Sequence, residues 1–308
     1  MMKRESQKQA NDAGRPSIRQ KPLVEAAYQG ERGAFSELAL KKAFPFFIRK
    51  PYPGFSDVVK HAEIGSGRCA LLPVENSTEG TVREVYDLIL RYQVEAVAEV
   101  IMRIRHMLLA RHGVEPGDIR KVYSHPQALA QCKDYLKFRG LEAVQFSNTA
   151  AAVKMVSEST MTDAAAIGSE NAAELYDMKT IDKDIEDDKK NRTRFLLVAS
   201  KENAQAIKEM MEYDCDFAPK TSIVFGLRNR PGSLSRALDA LKSADVNLTL
   251  VYSRPISGRS WEYSFYVDME YSCPEAQIDE MLHHLKESTT FLKVVGHYGV
   301  AYQDAVLL

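Results

Sequence analysis

No apolar run in this 308-residue chain is long enough to cross a bilayer. The longest, such as Ala70–Val74 and Phe195–Ala199, are strand-sized, whereas a spanning helix needs about 20 residues. A surplus of one charge is missing too: 41 Lys and Arg stand against 42 Asp and Glu, a formal net charge of -1. Nucleic-acid or anionic-membrane surfaces normally leave a basic excess, so neither partner is expected. Cysteine is sparse: Cys69, Cys132, Cys215 and Cys273 form no C-x-x-C pair. Buried thiols in a reducing cytosol explain them better than disulfides or zinc, so the sequence points to a cytoplasmic protein without a metal. Met1–Lys21 lacks the apolar core of a secretory leader, and Glu5 and Asp12 are out of place in an acid-poor transit peptide. Residues 1–23 read as a disordered tail.

The length has room for two domains. From Val24 to Ala199, short apolar strands alternate with amphipathic helices, which argues for an α/β domain with mostly parallel strands. Val24–Tyr28 and Cys69–Val74 are strands, and Val82, Val85, Tyr86 and Ile89 mark one helix face. Two strands fill Val94–Ala110; Val122–Tyr123, Ala164–Ile167 and Arg194–Ala199 complete the set. Residues 201–219 are polar, end in a proline and read as a linker. Beyond them the order becomes βαββαβ, a split ferredoxin-like unit over residues 220–301, followed by a tail, 302–308. Trp261, Tyr263, Phe265, Val267 and Met269 alternate in one of its strands, so one face is expected to be buried.

One local device recurs in the α/β part: a strand ends, a short polar stretch follows, and a helix starts. Pro73–Gly80, Ser124-His125-Pro126-Gln127, Ser147-Asn148-Thr149 and Gly168-Ser169-Glu170-Asn171 are the instances. Each supplies a capping residue or a first-turn proline. Helix N-termini attract anions, and such junctions gather at the carboxyl edge of an open sheet. The sum is a cleft suited to a small polyanion such as a dicarboxylate. Singly, each junction is simple capping.

These residues also carry a family resemblance. Pro73-Val74-Glu75-Asn76-Ser77, then Ser124–Cys132, then Asn191-Arg192-Thr193-Arg194-Phe195 resemble, in order and spacing, the motifs of prephenate dehydratases and of the related arogenate dehydratases. Tyr28–Ser36 resembles the family's first strand and helix. The resemblance implies a catalytic domain, 24–200, of two lobes like a type 2 periplasmic binding protein. Lobe 1 would span about 24–100 and 185–200, and lobe 2 about 101–184. It implies conversion of prephenate to phenylpyruvate, water and carbon dioxide without a cofactor, in phenylalanine biosynthesis.

The resemblance makes Thr193 the essential residue, hydrogen-bonded to the leaving hydroxyl. It points to Asn76 and Ser124 as neutral donors to substrate, to Gln131 reaching in from its helix, and to Glu75 and Ser77 as cleft residues. Arg194 either clamps a carboxylate or pairs with Asp187 or Asp188. Glu75 is structural or catalytic, since a carboxylate repels a dianion unless it is protonated or paired. His125 acts as a general acid or fixes a helix start.

The C-terminal unit resembles an ACT domain. Gly232-Ser233-Leu234 occupies the family's G-A-L position and Ser253-Arg254-Pro255 its S-R-P position, with Tyr252 where the pattern has glutamate. That resemblance implies feedback inhibition by L-phenylalanine bound between subunits of a homodimer or homotetramer, against the alternative of a dimerising domain with no ligand. The polar tail before Val24 leaves no room for a chorismate mutase helix, so a monofunctional chain is expected. Two other functions stay open: an arogenate dehydratase, and a non-enzymatic small-molecule sensor.

Overall fold

The computed structural model describes residues 23–211, 218–242, 244–256 and 261–305. The expected tail lies outside them, apart from Leu23. The first lobe begins with β1 (Glu25–Gln29), α1 (Phe35–Ala43), β2 (Ile48–Tyr52), α2 (Phe55–Glu63), β3 (Arg68–Asn76), β4 (Gly80–Thr81), α3 (Arg83–Arg91) and β5 (Val94–Arg103). The chain crosses to the second lobe at 104–106. There it forms β6 (Met107–Ala110), β7 (Lys121–Ser124), α4 (Pro126–Gln131), α5 (Lys133–Arg139), β8 (Glu142–Gln145), α6 (Thr149–Glu158), β9 (Ala164–Gly168), α7 (Glu170–Leu175) and β10 (Lys179–Lys183). It returns through 184–191 into β11 (Arg192–Ser200) and α8 (Lys201–Met210). The C-terminal unit is β12 (Lys220–Leu227), α9 (Ser233–Lys242), β13 (Asn247–Pro255), β14 (Tyr263–Glu270), α10 (Glu275–Ser288) and β15 (Phe291–Tyr298), followed by β16 (Val300–Gln303).

The two lobes are separate sheets, ordered β16-β5-β11-β3-β1-β2, with β4 on β3, and β10-β6-β9-β7-β8. They are mixed rather than mostly parallel. In each, the strand that arrives from the other lobe runs against its neighbours: β11 is antiparallel to β3 and β5, and β6 to β9 and β10. Crossing twice between lobes forces this reversal, which periodicity does not reveal. It also moves the lobe boundaries from 100 and 185 to the crossovers themselves.

The third sheet has the order β13-β14-β12-β15, the ferredoxin-like arrangement expected from the βαββαβ pattern. The alternation in β14 is only half of its story. Phe265, Val267 and Met269 face α9 and α10, but Tyr266 is buried as well, against α3 and the first lobe. The strand starts at Tyr263, leaving Trp261 in an exposed turn.

Two expectations fail at the ends of this unit. The first half of the supposed linker is α8, whose Ala204 and Ile207 are buried in the core of lobe 1. The supposed tail contains β16, which pairs in parallel with β5 in the catalytic sheet. Just before it, β15 crosses β5 so closely that a Cβ on Gly296 would lie 2.2 Å from the Ala96 carbonyl oxygen. Only glycine fits there.

Candidate active site

Thr193 opens β11 at the carboxyl edge of the first sheet. It pairs with Asn76, and Arg194 pairs with Glu75, but Phe195 lies opposite Pro73. Val74 is therefore the extra residue of a β-bulge. Because side chains alternate across a strand, the bulge decides which ones meet. Asn76 and Thr193 share the face that packs towards α1, while Glu75 and Arg194 share the face that meets the third sheet.

Asn76 is fully committed. Its Nδ2 donates to Asn191 Oδ1 (2.8 Å), the Arg192 carbonyl (3.1 Å) and Thr193 Oγ1 (3.0 Å). Its Oδ1 accepts from the N–H groups of Thr78 (3.0 Å) and Glu79 (3.1 Å). It has no donor left for a substrate, contrary to expectation. Its effect is directional: Thr193 Oγ1 accepts from Asn76, so the threonine's own proton is free to point elsewhere. Asn191, buried beside it, has an Nδ2 with no partner among the described residues. It lies in the motif but was not expected in the site; a buried amide flanking the threonine was the available signal.

Other expected residues are also occupied. Ser77 extends the β3–β11 pairing, its Oγ accepting from Arg192 N (2.9 Å). Ser124 is fully buried and donates to the Ile167 carbonyl (3.0 Å), so it ties β7 to β9 instead of offering a free hydroxyl. Gln131 closes α4 and its Oε1 meets His106 Nε2 (2.9 Å) in the interlobe crossover. His125 fixes its helix, with Nδ1 accepting from Gln127 N (3.3 Å).

Arg194 neither faces the cleft nor pairs with Asp187 or Asp188. Its guanidinium meets Asp268 of the third sheet (2.5 Å), Glu99 of β5 (3.0 Å), Glu75 (3.3 Å) and the Tyr86 hydroxyl (3.2 Å). Lys220 joins through Glu99 (2.6 Å) and Glu270 (3.0 Å). Burial works against the charge of Arg194, but Asp268, assisted by Tyr298, Tyr86 and Glu99, outweighs it and holds the pKa well above its ordinary value. Glu75 is thereby paired with a buried cation.

The crossovers are clamped around Thr193. Arg103 donates to Glu186 (3.0 Å), and Glu186 also accepts from His106 N (2.9 Å). Asp304, just past β16, accepts from Arg103 N (2.7 Å), and the Arg192 guanidinium donates to the carbonyls of Asp304 (2.9 Å) and Ala305 (2.7 Å). Burial pushes the His106 pKa down, although Gln131 opposes this.

On the side of α1 the lobes touch directly. Ser169 Oγ donates to the Gly33 carbonyl (2.7 Å), and Asn171 Nδ2 donates to Glu37 Oε2 (2.8 Å). Lys41 reaches Glu174 (2.8 Å). Gly33, at φ 91°, would place a Cβ 3.1 Å from Ala172. Beside this contact lies an interlobe groove of about 430 Å3, lined by Gln29, Gly30, Glu31, Arg32 and Tyr52 from one lobe and Asn148, Lys154 and Tyr176 from the other. Thr193 is not in its lining. It stands two strands along the same sheet edge, on the hinge side, and is 9% exposed.

The expected effector residues collect at one end of the third sheet, where Leu227 and Pro255 both pair with Tyr263. Gly232 sits just ahead of α9. Arg254 turns to the first lobe and pairs with Asp87 of α3. Tyr252, in place of the glutamate, packs on Tyr86 (centroids 5.9 Å apart) and Tyr266 (6.3 Å) at the domain contact. Among the described residues no group of three His, Cys, Asp or Glu could hold a metal ion, and no helix is long and apolar enough to cross a membrane.

Together these features define a two-lobed α/β catalytic unit of periplasmic-binding-protein type, with a buried threonine hydroxyl beside the junction of its lobes. Residues 26–203 match the prephenate dehydratase family profile. The chain is 41% identical over 286 residues to arogenate dehydratase/prephenate dehydratase 2, chloroplastic, from Arabidopsis thaliana, covering 90% of this chain and 73% of that one. A prephenate dehydratase from Arthrobacter aurescens, solved in complex with L-Phe, superposes with a TM-score of 0.79 at 28% identity, covering 92% of this chain and 93% of that one. GqqA, described as a novel type of quorum-quenching acylase, gives the same TM-score and identity, covering 90% and 98%. The chain belongs to the prephenate dehydratase family and is a carbon–oxygen lyase of the hydro-lyase class.

Proposed function

We propose that Thr193 performs the decarboxylating dehydration of prephenate by donating a hydrogen bond to the leaving hydroxyl. The carboxylate on the ring departs as carbon dioxide, its bonding electrons complete the aromatic ring, and the hydroxyl on the opposite ring carbon leaves and takes up a proton from solvent to become water. A threonine of ordinary acidity cannot give up its proton outright. It lowers the barrier by stabilising the charge that builds on the departing oxygen in a site shielded from water. The bond from Asn76 Nδ2 to Thr193 Oγ1 carries this reading, because the oxygen accepts from the protein while the hydroxyl proton stays free to donate. Thr193 is nearly covered, so substrate enters when the α1–α7 contacts release.

Incubation with prephenate, followed by phenylpyruvate absorbance in base, tests the reaction. Thr193→Ala should lose about 100- to 1,000-fold in kcat, as removal of one preorganised donor does, while Thr193→Ser keeps most of it. Unchanged turnover in the alanine variant would overturn the role. The names of the relatives bring in arogenate as a second substrate, favoured by a charge arrangement argued below.

The C-terminal unit is assigned as an ACT domain that binds L-phenylalanine between subunits of a homodimer or homotetramer. Support comes from its topology, from the gathering of Gly232, Ser233 and Leu234 with Ser253, Arg254 and Pro255, and from the L-Phe complex of the Arthrobacter relative. Leu234, Val251, Trp261 and Tyr263 are exposed on this unit, apolar surface that a second copy can cover. The Arg254–Asp87 pair gives an effector at that strand end a direct hold on α3.

A further inference from the structure

The interlobe groove is lined by three charged side chains that the protein itself leaves unmatched. Arg32 and Glu31 come from the turn ahead of α1 in lobe 1, and Lys154 comes from α6 in lobe 2. None of the three side chains has a hydrogen-bond or ion-pair partner among the described residues. The arginines on the strands and crossovers around Thr193 are engaged: Arg103 with Glu186, Arg105 with Asp184, Arg192 with C-terminal carbonyls, and Arg194 with three carboxylates. A diacid could recruit those only by breaking existing contacts, and at Arg103 and Arg194 these are buried ion pairs, which are costly to open. It could recruit Arg32 and Lys154 by breaking nothing.

We propose that this groove holds the acidic pole of the substrate and that Glu31 selects one bearing an amino group, so that the chain acts on arogenate in preference to prephenate. The inference rests on the assignment of Thr193 to the leaving hydroxyl. Arogenate carries two carboxylates and one ammonium, a net charge of -1 that complements two cations and one carboxylate. Prephenate has a keto group in place of the ammonium, so Glu31 would face a dianion with nothing to accept from, and repulsion makes the discrimination. The groove volume, about 430 Å3, lies in the range of small-ligand sites. The N-terminus of α6, capped by Asn148, adds favourable potential for a carboxylate.

Geometry agrees. The leaving hydroxyl and the carbon bearing the acidic groups lie at opposite poles of the six-membered ring. Thr193 on β11 and the groove at the end of β1 are separated by two strand spacings, ~10 Å. A ring with its substituents and a hydrogen bond at each end spans such a gap. The separation between threonine and groove is thus what one substrate bound by both poles requires.

Steady-state kinetics on both substrates test the proposal, using the full chain and its Glu31→Gln, Arg32→Gln and Lys154→Gln variants, with melting curves to confirm folding. Wild type should show the higher kcat/KM with arogenate. Glu31→Gln should lower the arogenate-to-prephenate ratio of kcat/KM by roughly tenfold or more, the size of a charge-assisted hydrogen bond. Arg32→Gln and Lys154→Gln should raise KM for both substrates by a similar factor, with kcat nearly kept. A Glu31→Gln ratio equal to wild type overturns the selection, and unchanged KM in both cation variants overturns the groove as the acidic subsite. Wild type inactive on both substrates would instead overturn the dehydratase reading of Thr193.

Discussion

Asp268 stands on a β-strand of the C-terminal unit, yet it holds the arginine that follows Thr193. It is almost fully buried, accepting from Arg194 Nη2 (2.5 Å) and from Ser222 Oγ (2.5 Å). Asp268→Ala strands the arginine side of this pair. Removing one partner of a buried ion pair costs about 3–5 kcal/mol; Glu99 at 3.0 Å and Glu75 at 3.3 Å still face Arg194, which argues for the low end. A loss of about 3 kcal/mol corresponds to a fall of roughly 6–12 °C in Tm for a large chain melting as one unit. Because the pair is shielded from solvent, half-molar salt should change that difference little. Calorimetry on wild type, Asp268→Ala, Arg194→Met and the double variant completes the test. The two single losses should overlap, with a coupling of about 1 kcal/mol or more between residues in direct contact. Additive losses, or an Asp268→Ala variant melting within a degree or two of wild type, would refute the idea that the C-terminal unit anchors Arg194.

Acidification should destabilise the fold before any carboxylate titrates. Burial keeps the pKa values of His106 and His61 below the ordinary 6.5, so the unfolded chain takes up these protons first. Stability is then level above about pH 6.5 and falls below it, by at most about 1.4 kcal/mol per pH unit per group, until each folded-state pKa is reached. Urea midpoints at pH 7.5, 6.0 and 5.0 measure the slope. His106→Asn should flatten it, and an equal slope in that variant would remove His106 from the account. Gly296→Ala forces a methyl against the Ala96 backbone 2.2 Å away. Overpacking of this kind typically costs about 1–3 kcal/mol, visible as a lower urea midpoint; a neutral effect would mean that β15 does not cross β5 as closely as described.

What was legible in the sequence had either a period or a motif. The stripe Val85, Tyr86 and Ile89 is buried as its spacing predicts, and α3 follows. Thr193 and Asn76 came together because two motifs stood in the right order, but the bulge at Val74 that aims them leaves no periodic trace. β2, with the sequence Ile-Arg-Lys-Pro-Tyr, was invisible: it is an edge strand with a proline and little burial, so nothing selects alternation. β16 is four residues long and pairs with a strand some 200 positions earlier, beyond the reach of local pattern. Arg194 was misplaced for the same reason. Its partners Asp268 and Glu99 are distant in sequence, while the nearby Asp187 and Asp188 were the acids that proximity offered.

These misses share a cause that bears on how the molecule works. The C-terminal unit was read as an appendage reached through a linker, whereas its chain returns to finish the catalytic sheet. β16 covers the edge of β5, Asp304 receives the N–H of Arg103, and the carbonyls of Asp304 and Ala305 hold Arg192, the residue before Thr193. On the opposite face Asp268 holds Arg194, the residue after it. The threonine is thus flanked on both sides by arginines that each take at least one partner from beyond the catalytic domain. A shift of the C-terminal unit therefore acts on the strand that carries the hydroxyl through hydrogen bonds and ion pairs. For an effector to exploit this, it needs only to bind two placements of that unit with different affinity.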